Sequence, residues 1–253
     1  MFYEVSKEVF DKLPDAVFGV VAVTGIDNSK EISAIKKLLE DNAEECRKYF
    51  EAAGTKAKED PVVVPYREAF RALGINPSRY ACSIEALMDR IAKGKGMPSI
   101  NPIVDLGNAV SLKYKLPIGA HDIYSFVKED GSGRGSESTG LEVRPANEDD
   151  RFVPFGAEEG EYDNPEIGEV VYVSGHEVRT RRWTWRQSEK GKITEKTSAV
   201  LFPIDGFASV NKEQVEKAIK EFVELIANYY ARSGRSLSVE TGIVDKDNPR
   251  FEF

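Results

Sequence analysis

The chain has 253 residues, which suits one large domain or two closely joined ones. A hydrophobic content of 41%, with 13 Phe, 10 Tyr and 2 Trp, excludes a disordered chain. The 43 acidic and 35 basic residues leave a net charge of -8, which excludes nucleic-acid binding by overall attraction but not a local basic patch.

The N-terminal stretch MFYEVSKEVFDKLP mixes acids among its apolar residues, so no signal peptide is expected. Residues 15–25 form a continuous apolar, β-branched run and predict a buried strand. Its core, AVFGVVAV, is the longest apolar run and is far below the ~18 residues of a membrane helix. A cytoplasmic protein with no membrane partner is therefore expected. A helix should follow, capped by Asn28 or Ser29, with Glu31 three residues after Asn28. Its apolar stripe is Ile32, Ile35, Leu39, Ala43 and Cys46, which makes Cys46 a core residue. Pro65 can open a short helix, YREAFRAL, that Gly74 ends. Ser83 should cap SIEALMDRIAK, with Glu85 in the first turn and Ile84, Leu87, Met88 and Ile91 as its stripe.

Residues 103–116 read as a helix stopped by Pro117. Beyond it, 118–128 looks extended and 129–140 (EDGSGRGSESTG) is a flexible glycine- and serine-rich loop. Strands are expected at Leu141–Pro145, Glu169–Ser174, Glu177–Gln187 and Ser198–Ile204. A last helix runs from Lys212 to Arg232, with Val215, Ile219, Phe222, Val223 and Ile226 on one face. The fold class is α+β, with a helix-rich N-terminal lobe and a strand-rich second lobe in one unit, a mixed sheet flanked by helices. Its expected organisation is an N-terminal strand and helix (1–60) packed on a main unit (61–232), then a C-terminal extension (233–253).

Many chemistries are excluded by missing motifs. There is no GxSxG elbow, no GxxxxGK[ST] loop and no GxGxxG after a strand. HEVRT at 176–180 begins like a zincin motif, but position 180 is Thr. With Cys46 and Cys82 isolated and only His121 and His176 present, no metal and no cofactor is expected. Binding remains, or hydrolysis by water that polar side chains position.

Three clusters could carry such chemistry. In INPIVDLGNAVSLKYKLPIGAHD (100–122), Asp105 and Asn108 share a helix face and Ser111 lies about a turn further on. They either wall a pocket, with Asn108 offering its amide to a ligand, or tie the helix to the loop at Asn101 and Pro102. RTRRWTWRQ (179–187) holds four arginines and two tryptophans in nine residues. Read as a strand, it puts Thr180, Arg182, Thr184 and Arg186 on one face and Arg179, Arg181, Trp183, Trp185 and Gln187 on the other. Arginine forks suit phosphate and tryptophan suits base stacking; the alternative is a charge-protected edge strand. Arg90, Lys93 and Lys95 form the third cluster, at a helix C-terminus, where they complement the dipole or contact a phosphate. His121, beside Asp122, is either an acid/base or a structural histidine, and His176 is solvated.

These segments resemble the B3/4 domain family, the module that houses the editing site of the bacterial phenylalanyl-tRNA synthetase β subunit. The resemblance covers roughly residues 61–226 and is carried by PYREAFRALGINPSRY (65–80), SIEALMDRIAKG (83–94), residues 100–122, IGEVVYV (167–173) and RRWTWRQ (181–187). It implies an α+β fold and a free-standing domain, and contact with tRNA or aminoacyl-tRNA with an amino acid in the pocket. It implies either trans hydrolysis of a misacylated tRNA or a noncatalytic tRNA- or amino-acid-binding module. Asn108, Asp105 and His121 are then the catalytic candidates, and Asn101, Ser111, Arg181, Arg182, Trp185, Arg186 and Gln187 the tRNA- or substrate-binding ones. Two positions depart from the synthetase pattern, Gly107 where a threonine precedes the asparagine, and Gly119 where a histidine follows the proline.

Overall fold

The computed structural model describes residues 1–126, 139–158, 160–231 and 236–253. Six helices and ten strands are described: β1 (Phe2–Val5), α1 (Lys7–Lys12), β2 (Ala16–Thr24), α2 (Ser33–Ala53), α3 (Val64–Ala72), α4 (Ser83–Ala92), α5 (Pro102–Tyr114), β3 (His121–Asp122), β4 (Gly140–Pro145), β5 (Val170–Ser174), β6 (Glu177–Arg181), β7 (Arg186–Gln187), β8 (Ala199–Phe207), α6 (Lys212–Tyr230), β9 (Ser238–Val244) and β10 (Arg250–Glu252). The expected glycine- and serine-rich loop lies outside the described residues up to position 138.

The strands make two sheets. One has six strands in the order β10-β1-β4-β5-β6-β7 and is mixed, because β1 pairs parallel to β4. The other has four antiparallel strands in the order β3-β8-β2-β9. The α+β class is thus observed, with a second sheet beside the expected mixed one.

Why β2 is apolar throughout follows from its place. Its residues alternate between two cores, Val17, Val21 and Val23 facing α5 and α6, and Phe18, Val20 and Ala22 facing the six-stranded sheet. With both faces covered, no polar side of the strand is needed. β8 alternates likewise, with Val200, Phe202 and Ile204 toward the helices and Leu201 and Phe207 toward the other sheet. Pro203 and Asp205 share the parity of the second set, so β8 delivers a carboxylate between the two sheets. Gly19 and Gly206 let α6 lie close on β2 and β8, since a Cβ at either would come within 2.7 Å of Val215.

Several local expectations are corrected. Helix α2 starts at Ser33 with Ile32 as N-cap, so neither Asn28 nor Ser29 caps it. Buried Asn28 instead accepts a hydrogen bond from Ile103 N, in the first turn of α5, at 3.1 Å and donates to Asn101 Oδ1 at 3.1 Å. Cys82, not Ser83, is the N-cap of α4. On α6, Val223 is exposed, and Ala218 and Tyr230 complete the buried face. The strand expected over Glu177–Gln187 is broken into β6 and β7 by a turn at 182–185. β9 and β10 return along β2 and β1, pairings that the sequence reading did not include.

Candidate functional site

Between the sheets and helices α4 and α5 lies a cavity of about 340 Å³. Helix α5 supplies Gly107 and Asn108, the 118–121 segment His121, the β6–β7 hairpin Trp183 to Gln187, and β8 Asp205. Asn108 is half-buried, lines the cavity and makes no side-chain hydrogen bond among the described residues. Its carboxamide therefore keeps two donors and an acceptor for a ligand.

The hairpin turn is built from two consecutive residues in the left-handed region, Arg182 at φ 47° and Trp183 at φ 58°. Each costs about 1 kcal/mol in a residue with a side chain. Burial offsets that cost, because Trp183 is 0% exposed and its ring lies 6.1 to 6.2 Å from those of Tyr66, Phe70 and Phe207. Ser83 N donates to Thr184 O at 2.8 Å, tying the turn to the start of α4. The same turn builds the cavity mouth. Trp185 meets Tyr80 edge-on at 4.8 Å, and the Arg182 guanidinium lies 3.9 Å from the Tyr80 centroid and 4.7 Å from that of Trp185. Arg186 is exposed, 5.9 Å from the Trp185 ring.

At the floor, Asp205 is 2% exposed, and its Oδ1 accepts from Tyr172 Oη and Trp183 Nε1, both at 2.6 Å. Burial pushes this carboxyl up to about 7, against the lowering effect of those two bonds. His121 stacks on Tyr172 at 5.8 Å. Burial, helped by the Arg179 charge, pushes it down to about 3, so it is neutral at physiological pH. A Cβ at Gly119 would lie 3.1 Å from His121 Nε2 and 3.2 Å from Pro203 Cγ. The His121 ring thus fills the space into which a side chain at 119 would grow.

The structure brings together Asn108, His121, Trp185, Arg186 and Gln187, all of which line the cavity. Gln187 Nε2 donates to Ala120 O at 3.3 Å, which joins the hairpin to the 118–121 segment. The other candidates lie elsewhere. Asp105 is buried in the first turn of α5, outside the cavity lining, and accepts from Ser99 Oγ at 2.5 Å and Ile100 N at 2.8 Å. Asn101 is the α5 N-cap, accepting from Val104 N at 3.1 Å. Ser111 donates to Leu116 O at 2.6 Å and closes the helix end. Their polarity satisfies the helix termini, the tie to the loop that the sequence left open. Arg181 is buried against Glu169 at 2.8 Å and Asp163 at 2.7 Å, so it is spent within the fold. Arg182 borders the mouth without lining the cavity and approaches Glu169 at 3.5 Å. In the third cluster, Arg90 Nε donates to Gly96 O at 2.9 Å and Lys93 pairs with Asp89, as a helix end requires.

Asp205 and Tyr172 were not anticipated. The only signal was an acid inside the otherwise apolar run AVLFPIDGF, at inward-facing parity.

The family model of the B3/4 domain matches residues 65–231. No curated protein matches. Among solved structures, the chain is similar to an N-terminal fragment of the phenylalanyl-tRNA synthetase beta-subunit from Pyrococcus horikoshii, with 11% identity and a TM-score of 0.46. That likeness covers 93% of this chain and 49% of the other, so this chain spans about half the length of that fragment.

Proposed function

The chain belongs to the B3/4 domain family, and from this premise we propose that it hydrolyses the ester of a misacylated tRNA in trans. The observation that carries the proposal is the uncommitted carboxamide of Asn108 inside a cavity whose mouth is lined by arginine and aromatic side chains. The amino-acid moiety enters the cavity, and the terminal adenosine rests against Trp185 with Arg186 beside a phosphate. As water attacks the ester carbonyl, negative charge develops on its oxygen and an Asn108 N–H donates to it; the bond to the ribose oxygen then breaks, and that oxygen takes the proton that the water loses. An aminoacyl ester is already activated, so holding water and ester at the right distance supplies much of the rate. The biological need is physical: one methylene changes binding by only ~1–3 kcal/mol, so a second site must remove the wrong product.

His121, pushed down to about 3, is too weak a base to hold a proton taken from water and carries no imidazolium near neutral pH. That observation favours a second reading, a noncatalytic module that binds tRNA or an amino acid. Incubation of the full chain with a panel of misacylated tRNAs, following released amino acid, separates the two. Hydrolysis of one or a few members supports the deacylase; binding without release from any member supports the module.

A further inference from the structure

The cavity floor carries a charge for which the proposed hydrolysis has no use. Both hydrogen bonds to Asp205 fall on Oδ1, and none reaches Oδ2 among the described residues. Arg186 stands exposed at the mouth, and the buried or half-buried arginines nearby are engaged elsewhere. Arg179 pairs with Glu177 at 2.8 Å and donates to Ser125 O, while Arg181 and Arg182 hold Glu169. A buried carboxylate without a counter-ion is costly, whereas an arriving cation would remove the cost. The walls suit such a cation, since Trp183, Trp185 and Tyr172 offer aromatic surface and His121 contributes no competing charge.

We propose that Asp205 anchors the primary ammonium group of a ligand, so that the cavity takes an amine with an apolar body, such as the amino-acid moiety of an aminoacyl ester. The inference rests on the cavity being the ligand site, but not on hydrolysis taking place there. Tyr172 and Trp183 act as positioning residues that hold the carboxylate toward the ligand. The titratable groups facing Asp205 are Tyr3 and Tyr172 from the six-stranded sheet, Tyr66 from α3, and His121. Burial raises all three tyrosines well above the phenol range and keeps His121 neutral. Asp205 is therefore the member of this group that changes charge near neutrality, and ammonium binding should strengthen as pH rises through about 7 and weaken again above ~8, where the α-amine of the ligand loses its own proton.

The test is calorimetric titration of the full chain at about pH 7.4, where carboxylate and ammonium coexist, with the amides of the twenty standard L-amino acids. The tightest binder is then compared with its desamino analogue, and with Asp205→Asn, which keeps an acceptor for Tyr172 and Trp183. Loss of a charge-assisted bond predicts at least ~10-fold weaker binding in both comparisons. Failure of every amide to bind, or a desamino analogue that binds as tightly, overturns the proposal without reliance on any variant. So does an Asp205→Asn protein of parental affinity. The outcomes also separate this anchor from the hydrolytic reading. Amide binding without deacylation of any tRNA keeps the anchor and removes hydrolysis; deacylation with parental KM in Asp205→Asn does the reverse.

Discussion

Two buried groups at the floor of the cavity set opposite pH dependences of stability. His121 is held near 3, so below ~6.5 the unfolded chain takes up a proton that the folded chain refuses, and stability falls as pH falls. Asp205 is held near 7, so above ~4 the folded chain keeps a proton that the unfolded chain has released, and stability falls as pH rises. Between pH ~4 and ~6.5 the two slopes oppose each other, each worth up to ~1.4 kcal/mol per pH unit. Asp205→Asn should therefore add ~2 kcal/mol of rise, relative to the parent, between pH 4.5 and 6.5, and His121→Gln a comparable fall. Urea unfolding of the three proteins at the two pH values measures this; parallel pH profiles would contradict the burial-driven shifts. Asn108 was legible as a polar residue on an apolar helix. Asp105, Asn101 and Ser111 carried the same signal but satisfy helix ends, because spacing alone cannot tell a pocket wall from a capped terminus.

The β6–β7 hairpin shows where an element escapes sequence periodicity. A nine-residue run without Gly, Asn or Pro gave no sign of a left-handed turn, so period 2 was carried through it. The turn exists because burying Trp183 and engaging Arg182 with Glu169 and two rings outweighs the backbone cost. The arginines consequently differ in what their loss should do. Arg182→Ala should lower Tm as well as RNA affinity, since its side chain packs between Tyr80 and Trp185. Arg186→Ala should leave Tm nearly unchanged and weaken tRNA binding, with the log affinity versus log salt slope reduced by about 0.7 to 0.9. Thermal melts and salt-series binding of both variants check this, and an equal Tm loss in the two would show Arg186 to be structural.

For the whole molecule, the α+β class was legible because helices α2, α3, α4 and α6 each bury a periodic face and β2 is a continuous apolar run. The chain ends were not. β9 and β10 have exposed or half-buried residues along most of their length, so their pairing with β2 and β1 left little apolar signal. Truncation after residue 231 should still destabilise the protein, because it strips β9 from the length of β2 and β10 from β1. A truncated protein with parental Tm would show these strands to be dispensable. The net charge of -8 is compatible with the proposed tRNA contact only if that contact is confined to a small area such as the arginine-bearing mouth. Salt dependence should therefore be clear but shallow, corresponding to few phosphate contacts.

The central claim, that an aminoacyl ester is hydrolysed in this cavity with Asn108 as donor, is met most directly by the single-turnover deacylation rate of Asn108→Asp. This substitution keeps the size of the side chain but replaces the N–H donor with a charged acceptor. On the misacylated tRNA that the parent hydrolyses best, the rate should fall by ~10²–10³, with tRNA affinity within a few-fold of the parent. A variant that hydrolyses that tRNA as fast as the parent would contradict the account.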